Sequence, residues 1–280
     1  MICRPGVHVV LVVLVSLCYE CFALSVPKLR AVPRAMRSVR LDALPAALPV
    51  VASAAAGLSG GSIIGGLLSG GLHAVSGPDH IAAVLPPSMG HPWLYGMRIG
   101  AAWGLGHGVS ATGLGLAGII LKGQMSSRFA GVERLSSLAD SAVGFSLLFI
   151  GALGIKESRA MTDEAMNGDG GGGGGGGVKF GMDNRAIFSN GLLHGFSLDG
   201  GPSIAPALAM SNWRSAVWFL LAYCFGTMAT MSITAAAVGE SSLRLVQKSK
   251  NPKLPRRLCL GSSVFALLAG VYWIFKSFFL

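Results

Sequence analysis

Residues 71–86 read GLHAVSGPDHIAAVLP. Inside an apolar run they set two imidazoles and a carboxylate around a Gly-Pro pair. His73, Asp79 and His80 are ionisable groups at membrane depth, where each is costly unless it has a partner or a task. In an unbroken helix His73 and His80 would share nearly one face, yet stand roughly 10 Å apart along the axis. Gly77 and Pro78 break that helix. Proline at the first position of a new segment pre-sets its first turn, so the break can fold the two imidazoles toward each other. It also frees backbone carbonyls, which bilayers tolerate only where they line a cavity. A broken helix flanked by His and Asp is a better ion-site signal than the same letters on a straight helix.

Further along, residues 192–208 read LLHGFSLDGGPSIAPAL, with His194, Asp199 and a second Gly-Gly-Pro break at 200–202. Two broken helices in corresponding positions of two halves point to a transport site. Residues 103–110, WGLGHGVS, add His107 between glycines. The metal-ligand candidates are therefore His73, Asp79, His80, His107, His194 and Asp199. Neutral imidazole suits nickel, cobalt, copper, zinc and iron. The carboxylates compensate a charge that would otherwise be very costly to bury. An oxygen-only ion such as calcium would want more carboxylates than two. A borderline divalent transition metal fits best. Trp103, Met228 and Met231 read as packing, Arg98 as an interfacial anchor, Asp140 as interfacial at a span mouth, and His91 as a solvated loop residue.

The rest of the chain supplies the setting. Of 280 residues, 52% are hydrophobic, 12% are charged and 41 are glycine, with mean hydropathy +0.61. Soluble domains carry about 25% charged residues. Few charges and many small residues are the composition of packed membrane helices. Apolar runs cover about 44–84, 96–121, 138–155, 187–210, 216–238 and 258–280, each reaching the ~17–25 residues of a spanning helix, the first long enough for one span plus an amphipathic or re-entrant piece. The fold class expected is an all-α polytopic membrane protein of about six transmembrane helices. Sliding the chain by 120 residues sets Trp93 on Trp213, Trp103 on Tyr223, Gly106 on Gly226, Ser110 on Thr230 and Lys156 on Lys276; one residue off that register, His73–Ser76 falls on His194–Ser197. An internal repeat with an odd number of spans inverts its second half, so two inverted three-helix repeats are expected.

The organisation follows. Residues 1–43 read as a bipartite targeting leader: a signal-like apolar stretch, then a basic segment rich in Lys and Arg without acids, as in transit peptides. Residues 44–155 form the first three-helix repeat, 156–185 a linker loop holding the glycine run 170–177, and 186–280 the second repeat. The leader resembles those that direct proteins to plastids, so a multi-pass plastid membrane location is expected. Basic residues are richer in the loops after the first, third and fifth runs, the side expected to face the stroma or cytoplasm.

Other classes fail on the letters. The net charge of +10 sits in the leader and loops, where it sets topology, so no nucleic-acid partner is expected. No H-E-x-x-H occurs, and Ser197 lacks a G-x-S-x-G elbow, so the chain is not expected to be an enzyme. No cofactor is expected. Cys224 and Cys259 stand at unrelated positions and read as small apolar residues.

In HAVSGPDHIAAV, WGLGHGVS and LLHGFSLDGGPSIAPAL the sequence resembles the nickel/cobalt transporter superfamily, in particular its urease-accessory-like membrane proteins and their plant and algal plastid relatives. The resemblance covers most of residues 60–280. It implies a multi-helix permease for nickel or cobalt in which His73, Asp79 and His80 select and carry the ion, with His107 and His194 assisting. It also implies the lipid bilayer and the metal ion as partners, joined by a metallochaperone or urease accessory proteins. The better-known permeases place four residues between the first His and Asp-His; here five intervene, 74–78. The alternatives are a non-transporting accessory protein for metalloenzyme maturation and a proton-coupled carrier of another solute.

Overall fold

The computed structural model describes residues 62–121, 129–167, 182–249, 251 and 253–279, with the backbone course alone for 129–135 and 161–167. The leader expected over 1–43 and the glycine run 170–177 lie outside these residues.

The described chain is helical, with no strand among the described residues. In order it forms α1 (Ser62–Ser76), α2 (Pro78–Ser88), α3 (Trp93–Leu121), α4 (Phe129–Asn167), α5 (Asn184–His194), a 3-10 turn (Leu198–Gly200), α6 (Gly201–Ala209), α7 (Trp213–Ser249) and α8 (Leu254–Phe279). Among the described residues, four stretches are long and apolar enough to cross a membrane: Trp93–Leu121, Ser136–Ala160, Trp213–Ser249 and Leu254–Phe279. The two remaining runs expected to span do not do so as single helices. Pro78 opens α2 immediately after α1, and Pro202 stands in the first turn of α6 after the 3-10 turn. A proline N–H is missing and its ring blocks the preceding turn, so each run divides into two short pieces. The 15 described residues of α1 cover about 22 Å of the ~30 Å hydrocarbon core. Among the described residues, four of the six expected spans are thus seen as long apolar helices, accompanied by two broken elements.

Glycine fixes how these helices meet. Gly70 abuts the Tyr223 carbonyl and Gly226 the Leu67 carbonyl, so α1 runs alongside α7 with no room for a β-carbon at either glycine. On the other side Gly191 abuts the Trp103 carbonyl and Gly106 the Phe188 carbonyl, placing α5 along α3. The two long helices α3 and α7 cross in opposite directions, Gly96 facing Ala235 and Gly104 facing Met228. α4 and α8 pair antiparallel, with Gly144 against Gly270 and Gly151 against Ser263. Where helices have no hydrophobic driving force between them, this close approach of backbones is what holds them. Glycines with nothing nearby carry no such duty. Gly113→Ala, on an open face of α3 with no atom within 4 Å of the added carbon, is expected to stabilise the fold by about 0.5–1 kcal/mol, measured by thermal unfolding in lipid nanodiscs.

The bundle is apolar outside and polar within. Ile120, Leu138, Phe149, Ile233 and Phe278 are among the exposed large hydrophobics, each more than 60% exposed. Asp79, His80, His107, Asp140, Asn190 and His194 are buried. A lipid solvent favours that distribution.

Candidate metal centre

The centre begins at the first break. Gly77 is extended (φ −80°, ψ 112°) and Pro78 starts α2. A β-carbon on Gly77 would lie 2.5 Å from His80 Nδ1, so only glycine lets the His80 ring fold back over the gap. There Nδ1 faces the Ala74 carbonyl at 3.3 Å. Donation from Nδ1–H to that carbonyl leaves the Nε2 lone pair free. The break thus brings His80 to within 4.8 Å of His73, centroid to centroid, the approach that an unbroken helix forbids.

His107 arrives from the middle of α3. Its ring lies 4.7 Å from His80 and 5.4 Å from His73, and stacks on Trp103 at 5.2 Å. One ligand nitrogen from each of His73, His80 and His107 falls within 4.8 Å of the other two. Around a shared ion bonded at about 2.0–2.1 Å, donor nitrogens stand near 3.3 Å apart, so a movement of about an ångström closes this cage. His194 reaches the same pocket from the end of α5, 6.4 Å from His80 and 5.4 Å from Trp103. Its Nδ1 lies 2.9 Å from the Asn190 carbonyl, the contact that fixes a tautomer and leaves Nε2 as the donor atom for an ion. The Asn190 side chain also accepts from Trp103 Nε1 at 2.8 Å, which locks the indole between the two halves.

The unmet valences are concentrated here. His73 Nε2, both ring nitrogens of His107 and His194 Nε2 are buried without a hydrogen-bond partner. Buried polar atoms are nearly always satisfied, and leaving one unsatisfied costs about 1–3 kcal/mol. Three orphaned imidazoles facing one point have the form of a donor set for a cation. Asp79, 5% exposed, stands in the first turn of α2, where the helix dipole favours a carboxylate. Its Oδ2 lies 3.5 Å from His80 Nε2.

Five of the six residues singled out in the sequence therefore gather at one place: His73, Asp79, His80, His107 and His194. Asp199 does not join them. It lies on the 3-10 turn and receives both of its short bonds, 2.5 and 2.6 Å, from Lys276 Nζ. Asp140, read as interfacial, is instead buried and accepts from Ser197 Oγ at 2.6 Å. Sequence reading missed Asn190 as the group orienting His194, because a backbone carbonyl leaves no mark on the letters. It also missed Tyr223, which stacks on His73 at 6.1 Å while its hydroxyl meets Ser203 Oγ at 3.0 Å. The match of Tyr223 with Trp103 at the 120-residue shift was the available signal: each is the aromatic wall of one half.

Two curated proteins of Arabidopsis thaliana are similar to this chain. It is 32% identical over 218 residues to the chloroplast protein FOR GROWTH AND FERTILITY 2, covering 76% of this chain and 56% of the relative. With the chloroplast protein FOR GROWTH AND FERTILITY 1 it shares 31% over 221 residues, 76% of this chain and 59% of the relative. The chain is a homologue of chloroplast proteins. It spans a little over half the length of each. No protein-family model matches the sequence, and no solved structure matches it.

Proposed function

We propose that this protein is a plastid membrane permease for a divalent transition-metal cation, nickel or cobalt, which it carries through an intramembrane imidazole cage. The observation that carries this reading is the convergence of His73, His80 and His107 within 4.8 Å, with unpaired nitrogens, inside four apolar helices. An ion arriving in the pocket replaces its hydration with His73, His80, His107 and the Nε2 of His194. Asp79 supplies negative charge beside them. Ligands so placed must be neutral imidazoles, so capture weakens as the medium acidifies and the rings protonate. The plastid location rests on the basic, acid-free segment 25–40 of the leader and on relatives whose names place them in chloroplasts.

Alternating access follows from an inverted repeat, α1 to α4 against α5 to α8. The close contacts support it: Gly70 on Tyr223 recurs as Gly191 on Trp103, and Leu67 on Gly226 recurs as Phe188 on Gly106. These are the 121- and 120-residue shifts at which the sequence aligns with itself. In this reading each broken element rides on the long helix of the opposite half, α1 on α7 and α5 on α3. The two units that rock against one another therefore each mix both halves, with the cage at their seam.

The test is a metal panel on proteoliposomes. Nickel or cobalt is expected to enter the vesicles, and Asp79→Asn, which keeps shape and removes charge, is expected to slow that flux at least about tenfold in a protein that elutes and melts as the wild type. Metal-dependent partner capture without flux would instead favour an accessory protein. Uptake driven by a pH gradient and indifferent to metal would favour a proton-coupled carrier.

A further inference from the structure

Beside the cage lies a second polar group to which nothing so far has given a task. Ser197 Oγ donates to Asp140 Oδ1 at 2.6 Å. Lys276 Nζ donates to both oxygens of Asp199 at 2.5 and 2.6 Å and stands 3.4 Å from Asp140 Oδ2. The same ammonium lies 5.1 Å over the Trp273 ring. Asp140 belongs to α4 near the start of its apolar stretch and Lys276 to the last turn of α8, which places the group at one end of the α4–α8 pair. Ser197 and Asp199 belong to the turn between α5 and α6.

That turn has two faces. One is tied to α4 and α8 by these ionic bonds. The other carries Gly200, where an added β-carbon would lie 3.3 Å from His73 Nε2, one of the orphaned cage nitrogens. Residues 197–200 therefore form the wall between the cage and the charged group. Packing holds this wall weakly, since none of Leu198, Asp199 and Gly200 is buried. Besides the ionic bonds, the turn is tied by three hydrogen bonds to the helix ends beside it, from Ser203 Oγ to the Gly200 carbonyl at 2.6 Å, from Ser197 N–H to the His194 carbonyl at 3.2 Å and from Gly201 N–H to the Leu198 carbonyl. A short irregular segment with little buried surface opens readily once its charged ties are cut.

We propose that Lys276, through Asp199 and Asp140, is the positioning residue of a gate: it latches the 197–200 turn shut over His73. The proposal rests on the permease reading for its purpose, but the latch is measurable without any metal. Closed, the turn shields His73 from the adjoining mouth. Release of the Lys276 ammonium frees the turn to swing away, and His73 becomes the first ligand reached from that side. The α5–α3 contact at Gly191 stays in place during this motion, so His194 and His107 remain covered.

The experiment uses the full chain in lipid nanodiscs and follows carbethoxylation of each histidine by diethyl pyrocarbonate with mass spectrometry. In Lys276→Met, His73 is expected to react about tenfold faster than in the wild type, a fold-change between the loss of an exposed ion pair and that of a fully buried one. His107 and His194 should remain slow, and His91 should keep its wild-type rate. Lys276→Arg is expected to restore the slow rate at His73. Unchanged His73 reactivity in Lys276→Met would overturn the latch. So would a rise shared equally by His107 and His194, which would mark a general loss of packing. A second readout is cobalt(II) absorption by stopped flow. An open gate speeds both binding and release about tenfold while Kd stays within about twofold, because the ligands themselves are untouched. Absence of cobalt binding in the wild type would sink the permease reading alone, and the labelling pattern would still decide the latch.

Discussion

His107→Leu is expected to leave a folded protein, no less stable than the wild type, that binds nickel or cobalt at least about 100-fold more weakly and no longer transports it. The magnitude follows from a comparison. Removing a group that merely orients a metal ligand costs about 10–100-fold in affinity, and removing a donor atom of the cage should cost at least as much. The sign on stability is the sharper part. His107 is 2% exposed and neither ring nitrogen has a hydrogen-bond partner, so the folded apo-protein carries the full desolvation penalty of the imidazole. Replacing an unsatisfied buried polar group by an apolar side chain of similar size is neutral or stabilising. A histidine kept for packing would behave in the opposite way, with a fall in Tm and metal binding intact. Titration calorimetry on purified protein, alongside thermal unfolding without metal, separates the two outcomes in one preparation.

The cage was legible in the letters because its cause is local. Gly77 and Pro78 break a helix wherever they occur in an apolar run, and the distance between His73 and His80 depends on that break alone. The failures share the opposite character. Asp199 follows His194 closely in sequence, as Asp79 follows His73, and looks like its counterpart. Three more residues separate His194 from Pro202 than separate His73 from Pro78. The extra residues make the 3-10 turn, which carries Asp199 out to Lys276, 77 positions away. Set against the second break, the counterparts of Asp79 and His80 are Ser203 and Ile204, so the imidazole that the second half brings to the pocket is His194. The number of spans was legible only in part, four of the six expected being long apolar helices among the described residues. Hydropathy counts apolar runs, whereas a proline at the head of α2 or in the first turn of α6 decides whether a run crosses as one rod.

Gly191→Leu is expected to destabilise the bundle by about 3 kcal/mol or more and to remove metal binding as a consequence. The added β-carbon would overlap the Trp103 carbonyl, and the Trp103 backbone around it. Neither obstacle is a side chain that could turn aside. The remaining way out is to drive α5 off α3, which draws His194 away from His107 and breaks the bond from Trp103 Nε1 to Asn190. Gly70→Leu meets the same obstacle at the Tyr223 carbonyl, and should lower Tm by a similar amount while displacing His73 in place of His194. Leucine is as apolar as the lipid tails, so its transfer into the bundle brings no compensating gain. Two wedges of equal cost on opposite sides of the α3–α7 crossing are what a duplicated architecture requires. If Gly70→Leu melted the protein and Gly191→Leu did not, the α5–α3 contact would be dispensable and the two halves could not be equivalent supports of the cage.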